Sequence, residues 1–101
     1  MIKIIDDWYI TIEPYPTNYV VRRGKGERDK KGKWLDRARG YFGSLRNAVK
    51  EIRRLMVSEH FSNGERTLGD ALGAISEIDA RFEEIMERVT AWGGGGGGGG
   101  A

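Results

Sequence analysis

The sequence predicts an α+β fold: an N-terminal three-stranded antiparallel β-meander followed by a two-helix hairpin with a heptad-like C-terminal helix. Three observations lead there. Residues 8–13, "WYITIE", alternate in character with period two, as a strand with one buried face does. Residues 45–61 repeat apolar side chains at helical spacing. From Leu68 to Trp92 the spacing becomes 3-4-3-4, the pattern of a helix that packs along a narrow stripe.

In the first predicted strand Trp8, Ile10 and Ile12 share one face, and Tyr9, Thr11 and Glu13 the other. "EPYPTN" holds both prolines and turns the chain. "NYVVRR" gives a second strand. "KWLDRARGYF" gives a third, with Trp34, Asp36, Ala38 and Phe42 on one side and Leu35, Arg37, Arg39 and Tyr41 on the other. "MIKII" is expected to add an edge at most. Ser44 is a suitable N-cap for the first helix, whose stripe is Leu45, Ala48, Val49, Ile52, Leu55 and Met56. "SNGER" breaks it. Thr67 then caps the second helix, with Asp70 in place of the usual Glu of a capping box.

Residues 1–92 form one small domain, sheet 1–43 and helices 44–92. Residues 93–101, eight glycines and an alanine, bury no apolar surface and read as a linker, a tag remnant or a tracing artefact. A domain of ~90 residues gains much from association. The expected state is therefore a homo-oligomer, a dimer or higher, with Leu68, Ile75, Ile78, Phe82, Ile85 and Val89 at the interface.

The chain has no cysteine, which removes disulfides, thiolate nucleophiles and cysteine zinc sites. No apolar run approaches the ~20 residues of a membrane span, and "MIKIIDDW" is too short and acidic for a signal peptide. A cytoplasmic protein without membrane contact is expected. The net charge is only +2, but it is unevenly spread. Residues 22–39 hold nine Lys or Arg against three acids, and residues 65–92 hold three Arg against seven. Such asymmetry points to an anionic partner for one face, or to contacts between copies.

The densest basic stretch is "RRGKGERDKKGKW", residues 22–34. It fails as a phosphate-binding P-loop: five residues separate Gly26 from Gly32, and Trp34 stands where a Ser or Thr is needed. Two readings remain, a solvated hairpin tip or an anion-binding arm. In the first, residues 24–33 are mobile and dispensable for folding. In the second, Tyr9, Tyr19, Trp34 and Tyr41 are available to stack on bases. The candidate partner-binding residues are Arg22, Arg23, Lys25, Lys33, Arg37, Arg39, Tyr41, Arg46 and Arg53. On the predicted strand Arg37, Arg39 and Tyr41 share a face, where arginine forks beside an aromatic ring suit a phosphate or a base. The competing reading pairs these arginines with acids of the second helix.

Catalytic signatures are missing. His60 is the only histidine and has no ligand-spaced neighbours; it suits a helix C-terminus equally well. Glu83, Glu84 and Glu87 read as an exposed helix face. No cofactor, metal or catalytic residue is expected, and the protein is expected to act by binding.

At "GYFGSLRNAVKEI", residues 40–52, the chain resembles a family of small tailed-phage proteins of unknown function. Those proteins open with a strand pair of the "WYITIEPYPTNYVVRR" kind. They carry GYY-x-S-L-x-x-A-L where sheet hands over to helix, and close on a heptad-like helix. The resemblance spans most of residues 7–90, with Phe42 and Val49 where the family tends to have Tyr and Leu. The motif amounts to an N-cap serine and an apolar stripe, so it implies fold and no chemistry. It implies a phage or prophage accessory protein in an infected or lysogenic bacterium: an anti-defence factor, a host-takeover inhibitor or a replication accessory. The layout is also similar, at fold level only, to phage Thoeris anti-defence proteins, which sequester a cyclic nucleotide signal; no ligand residue carries over. Three expectations follow. The first is a binder of an anionic target, either a nucleotide signal or a nucleic-acid-handling host complex. The second is a DNA- or RNA-binding replication or recombination accessory. The third is an adaptor working through its helices.

Overall fold

The computed structural model describes residues 1–62, 64 and 66–92. Expectations for the glycine tail, and for Asn63 and Glu65 of the helix breaker, lie outside the described residues. The order of elements is sheet first and helices second, an α+β fold. The sheet has four antiparallel strands, one more than expected: β1 (Ile2–Ile5), β2 (Trp8–Glu13), β3 (Asn18–Arg23) and β4 (Gly40–Phe42), in that spatial order. The added strand is the "MIKII" edge, which pairs Ile2 with Ile10 and Lys3 with Tyr9 before a bulge. Its reach across Asp6–Asp7 is short enough for a tight return, with Asp6 at φ 50°.

The third predicted strand shrinks to three residues. Gly40 pairs with Val21 and Phe42 with Tyr19, and the Arg39 N–H still donates to the Val21 carbonyl at 2.8 Å. Before that point the chain leaves the sheet plane, drawn across one face of it by the Asp36 carbonyl, which accepts from Arg22 at 2.6 Å. Residues 33–39 are therefore not strand, and the alternation expected to gather Arg37, Arg39 and Tyr41 does not operate there.

Both helices start at their predicted caps. The Ser44 hydroxyl accepts from the Asn47 N–H ahead of α1 (Leu45–His60), and Thr67 accepts from Asp70 ahead of α2 (Leu68–Ala91). Each cap satisfies one of the amides that a helix start leaves unpaired. The helices cover the sheet face that presents Trp8, Ile10, Tyr19 and Val21, and these close on Leu45, Ala48, Val49, Ile52 and Phe82. A cross-helix pair, Arg53 with Asp79, and a bond from Arg46 to the Thr90 hydroxyl (2.7 Å) hold α1 to α2. Arg81 reaches Asp6 in the β1–β2 turn at 2.8 Å.

The α2 seam is used inside the subunit. Phe82 is buried, and Ile78, Ile85 and Val89, each partly buried, pack against the same core, so the seam buries Phe82 and part of the other three within the subunit. Ile75 is half-buried. Leu68, 75% exposed, remains open. The reason is geometric: sheet and α1 together make a trough, and a stripe of this width fills it. No helix among the described residues is long and apolar enough to cross a membrane.

Candidate functional site

The second face of the sheet presents Tyr9, Thr11, Val20 and Arg22, and these are as shielded as the first, at 2%, 3%, 0% and 7% exposure. What shields them is the basic arm, residues 24–38. Its first step needs backbone that side chains resist. Gly24 and Gly26 sit at φ 144° and 72°, and their N–H groups donate to the Asp7 carbonyl (2.9 Å) and to Asp36 Oδ2 (2.9 Å). The Tyr9 hydroxyl donates to the same carboxylate oxygen at 2.6 Å. Arg22 lies beneath, its Nε donating to Thr11 Oγ1 at 3.0 Å and its Nη1 to the Asp36 carbonyl. Asp36 thus acts as a latch between arm and sheet.

The rest of the arm is a small hairpin. Arg28 bridges to Trp34, and Leu35 N–H donates to the Glu27 carbonyl at 2.9 Å. Asp29 closes the tip by accepting from the Lys31 and Lys33 amides at 2.8 and 2.9 Å. Trp34 packs over Tyr9, with centroids 5.7 Å apart, and carries the Arg28 guanidinium 4.3 Å above its own ring. Within residues 24–33 only Gly24 and Gly26 are partly buried and bonded to Asp7 and Asp36, while Lys25 and residues 27–33 are exposed; the docking of the arm runs through these two glycines, Trp34 and Asp36.

The latch shifts two titrations. Burial, and then the Asp36 carboxylate, push the Tyr9 hydroxyl up to about 12. Asp36 is held below its ordinary range, chiefly by the Tyr9 hydrogen bond, then by the Gly26 amide and the charges of Arg22 and Arg39.

The nine candidate residues do not form one cluster. Arg22 is buried in the latch. Arg23 is held between Asp7 (3.0 Å) and Glu59 and lies 5.0 Å from the Trp8 ring, while Arg53 is held by Asp79. These three are structural cations with their charge already matched. Arg46 is exposed and bound to Thr90. Arg39 lies against Trp8 at 5.4 Å with its Nε enclosed and unpaired, on the side of the helix core, while Tyr41 stands across from Val20 on the other face. The expected cluster of Arg37, Arg39 and Tyr41 is thereby divided. Lys25, Lys33 and Arg37 are exposed, as are Lys30 and Lys31, and none of the five forms an ion pair among the described residues.

The acids of α2 lie in the opposite layer. Asp70, Glu77, Glu83 and Glu87 are exposed and likewise free of ion pairs among the described residues. Charge asymmetry along the chain becomes asymmetry across the sheet. His60 sits exposed at the end of α1, edge-on to Phe61 at 5.2 Å. Among the described residues no group of three or more His, Asp or Glu is placed to hold a metal ion.

Sequence reasoning missed Asp36 and Gly24. The one available signal was an acid, Asp36, on the otherwise apolar side of a predicted strand. Compared with protein-family models, curated proteins and solved structures, the chain matches none.

Proposed function

We propose that this protein acts by binding, without catalysis, and holds an anionic partner on the outer surface of the docked arm. One observation carries the reading. Among the described residues Arg22, Arg23, Arg53, Arg54, Arg81 and Arg88 have carboxylate partners; the arm cations Lys25, Arg28, Lys30, Lys31, Lys33 and Arg37 have none, and the other unpaired cations, Lys3, Arg39, Arg46, Lys50 and Arg66, lie outside the arm on several different segments. The arm, residues 24–38, carries six Lys or Arg against three acids, and a loop fixed at its base keeps that excess charge on one segment, at a repulsive cost that an anionic partner offsets. Lys30, Lys31, Lys33 and Arg37 stand exposed on the hairpin and its return, while Lys25 borders a small cavity that it shares with Lys3 and the carboxylates of Asp6 and Asp7. That favours an extended polyanion over a small nucleotide, which needs a concave site. Direct binding of DNA or RNA is thus supported better than capture of a nucleotide signal.

The setting we propose is the one implied by the phage-like junction at residues 40–52: an accessory protein in the cytoplasm of an infected or lysogenic bacterium. There it serves as an anti-defence or host-takeover inhibitor acting on nucleic-acid machinery, or as a replication accessory. Self-association belongs to the same proposal, through the apolar side chains that α2 leaves exposed, Leu68 and Leu72.

Reversing Lys30, Lys31 and Lys33 to Glu in the full chain tests the reading. Binding of a labelled oligonucleotide should fall more than about tenfold. The slope of log affinity against log salt should flatten by roughly 0.7 to 0.9 for each phosphate that the variant no longer neutralises. Equal affinity and slope for the variant and the parent protein would refute it.

A further inference from the structure

Four aromatic side chains are candidates for stacking on bases, and the fold removes three of them. Tyr9 and Tyr19 are buried at 2% and 7% exposure. Trp34 is packed on Tyr9 and covered by the Arg28 guanidinium. Tyr41 alone remains open, 59% exposed on the sheet face that the arm crosses. Its position follows from register: it pairs with Val20, which pairs with Thr11, in the row beside Tyr9 and Arg22. Two strand spacings and two residues along separate it from Tyr9, roughly 12 Å. The open ring therefore lies on the same side of the sheet as the arm that carries the unpaired cations. Gly43 follows β4, and a Cβ there would meet nothing within 4 Å, so the space around the C-terminal end of the strand is open.

We propose that the partner is a single-stranded nucleic acid, and that Tyr41 is the platform on which one of its bases stacks while the arm cations follow the phosphates. The proposal rests on the anion-binding reading of the arm. A single strand offers π-faces that a duplex keeps inside its own stack, and stacking on an exposed ring is tolerant of sequence. A fully exposed aromatic without neighbouring cations is the natural control, and Tyr15, 95% exposed in the β2–β3 turn, provides it.

The test is fluorescence anisotropy of the full chain with a labelled oligo-dT of about twelve nucleotides, and with a duplex of equal length. Tyr41→Ala should weaken single-strand binding about tenfold and leave the salt slope unchanged, since every phosphate keeps its cation. Tyr41→Phe should stay within about twofold of the parent, because the ring is kept. Tyr15→Ala should change nothing. The duplex should bind at least about tenfold more weakly at the same salt. Single-strand affinity undiminished in Tyr41→Ala, or a duplex bound as tightly, overturns the proposal. If Tyr41→Ala binds normally while the triple arm reversal does not, stacking falls and the arm reading stands. If the triple reversal binds normally, both fall.

Discussion

The two faces of this sheet are equally shielded from water but by different physics. Toward the helices, Trp8, Ile10 and Val21 meet Val49, Ile52 and Phe82, an apolar contact that is non-directional and scales with area. On the other side Tyr9, Thr11 and Arg22 are covered by a loop and satisfied by Asp36, Thr11 and one backbone carbonyl. Those contacts are directional, and removing one partner leaves the other buried without a hydrogen bond. The difference assigns the two faces separate tasks. The helix face determines whether the chain folds, and the arm face determines where its unpaired charge is carried.

The largest expected effect strikes the helix face. Phe82→Ala should cost about 3–5 kcal/mol in urea unfolding, because Phe82 is buried inside the subunit. Its melting should depend on protein concentration no more than the parent's does. A stronger concentration dependence in the variant would move the seam to between copies.

Gly24→Ala should come next, and it attacks the arm face alone. The new Cβ would collide with the Asp36 carboxylate, at a φ of 144° that alanine resists. A loss of about 2–3 kcal/mol is expected, with tryptic cleavage inside residues 25–37 and unchanged helical circular dichroism. Gly32→Ala, also at positive φ but with open space around it, should cost only about 1 kcal/mol. Equal protease resistance in the two variants would show that the arm is not latched by Asp36.

Tyr9→Phe should cost about 1–2 kcal/mol and remove a tyrosinate transition near pH 12 from the ultraviolet titration. The signs of the two latch groups differ. Tyr9, raised in the folded state, contributes stability that is complete below its unfolded value of about 10 and lost as pH climbs toward 12. Asp36, depressed when folded, contributes stability that is complete above about 4 and lost as pH falls through its lower folded value. Arm protection against trypsin after brief pH jumps should therefore fail at both extremes and hold between them. The smallest effect belongs to the arm tip: the Lys30, Lys31 and Lys33 reversal should move stability by no more than about 0.5 kcal/mol.

Features set by near neighbours in the chain are legible in the sequence alone. Ser44 and Thr67 cap helices because an hydroxyl three residues before a free amide is a local arrangement. The phase of β2 is also legible, with Trp8 and Ile10 facing one way and Tyr9 and Thr11 the other. The arm is not. Tyr9 and Asp36 are 27 positions apart, and a polar contact across that distance leaves no periodic trace. "KWLDRARGYF" alternates as well as a strand does, yet most of it crosses the sheet face and does not extend its edge. Among the candidate site residues, the exposure of Lys25, Lys33 and Arg37 is legible from charge density. The pairing of Arg22, Arg23 and Arg53 is not, because their acceptors, on Asp36, Glu59 and Asp79, come from distant segments.

The proposed function places the partner on the arm face and not on the helix layer. Amide chemical-shift mapping during titration of the full chain with single-stranded oligo-dT tests it most directly. The account predicts shifts confined to residues 25–38 and Tyr41, growing weaker as salt is raised, with α2 unaffected. Shifts concentrated on Leu68, Leu72 and the outer face of α2, with the arm silent, would contradict it.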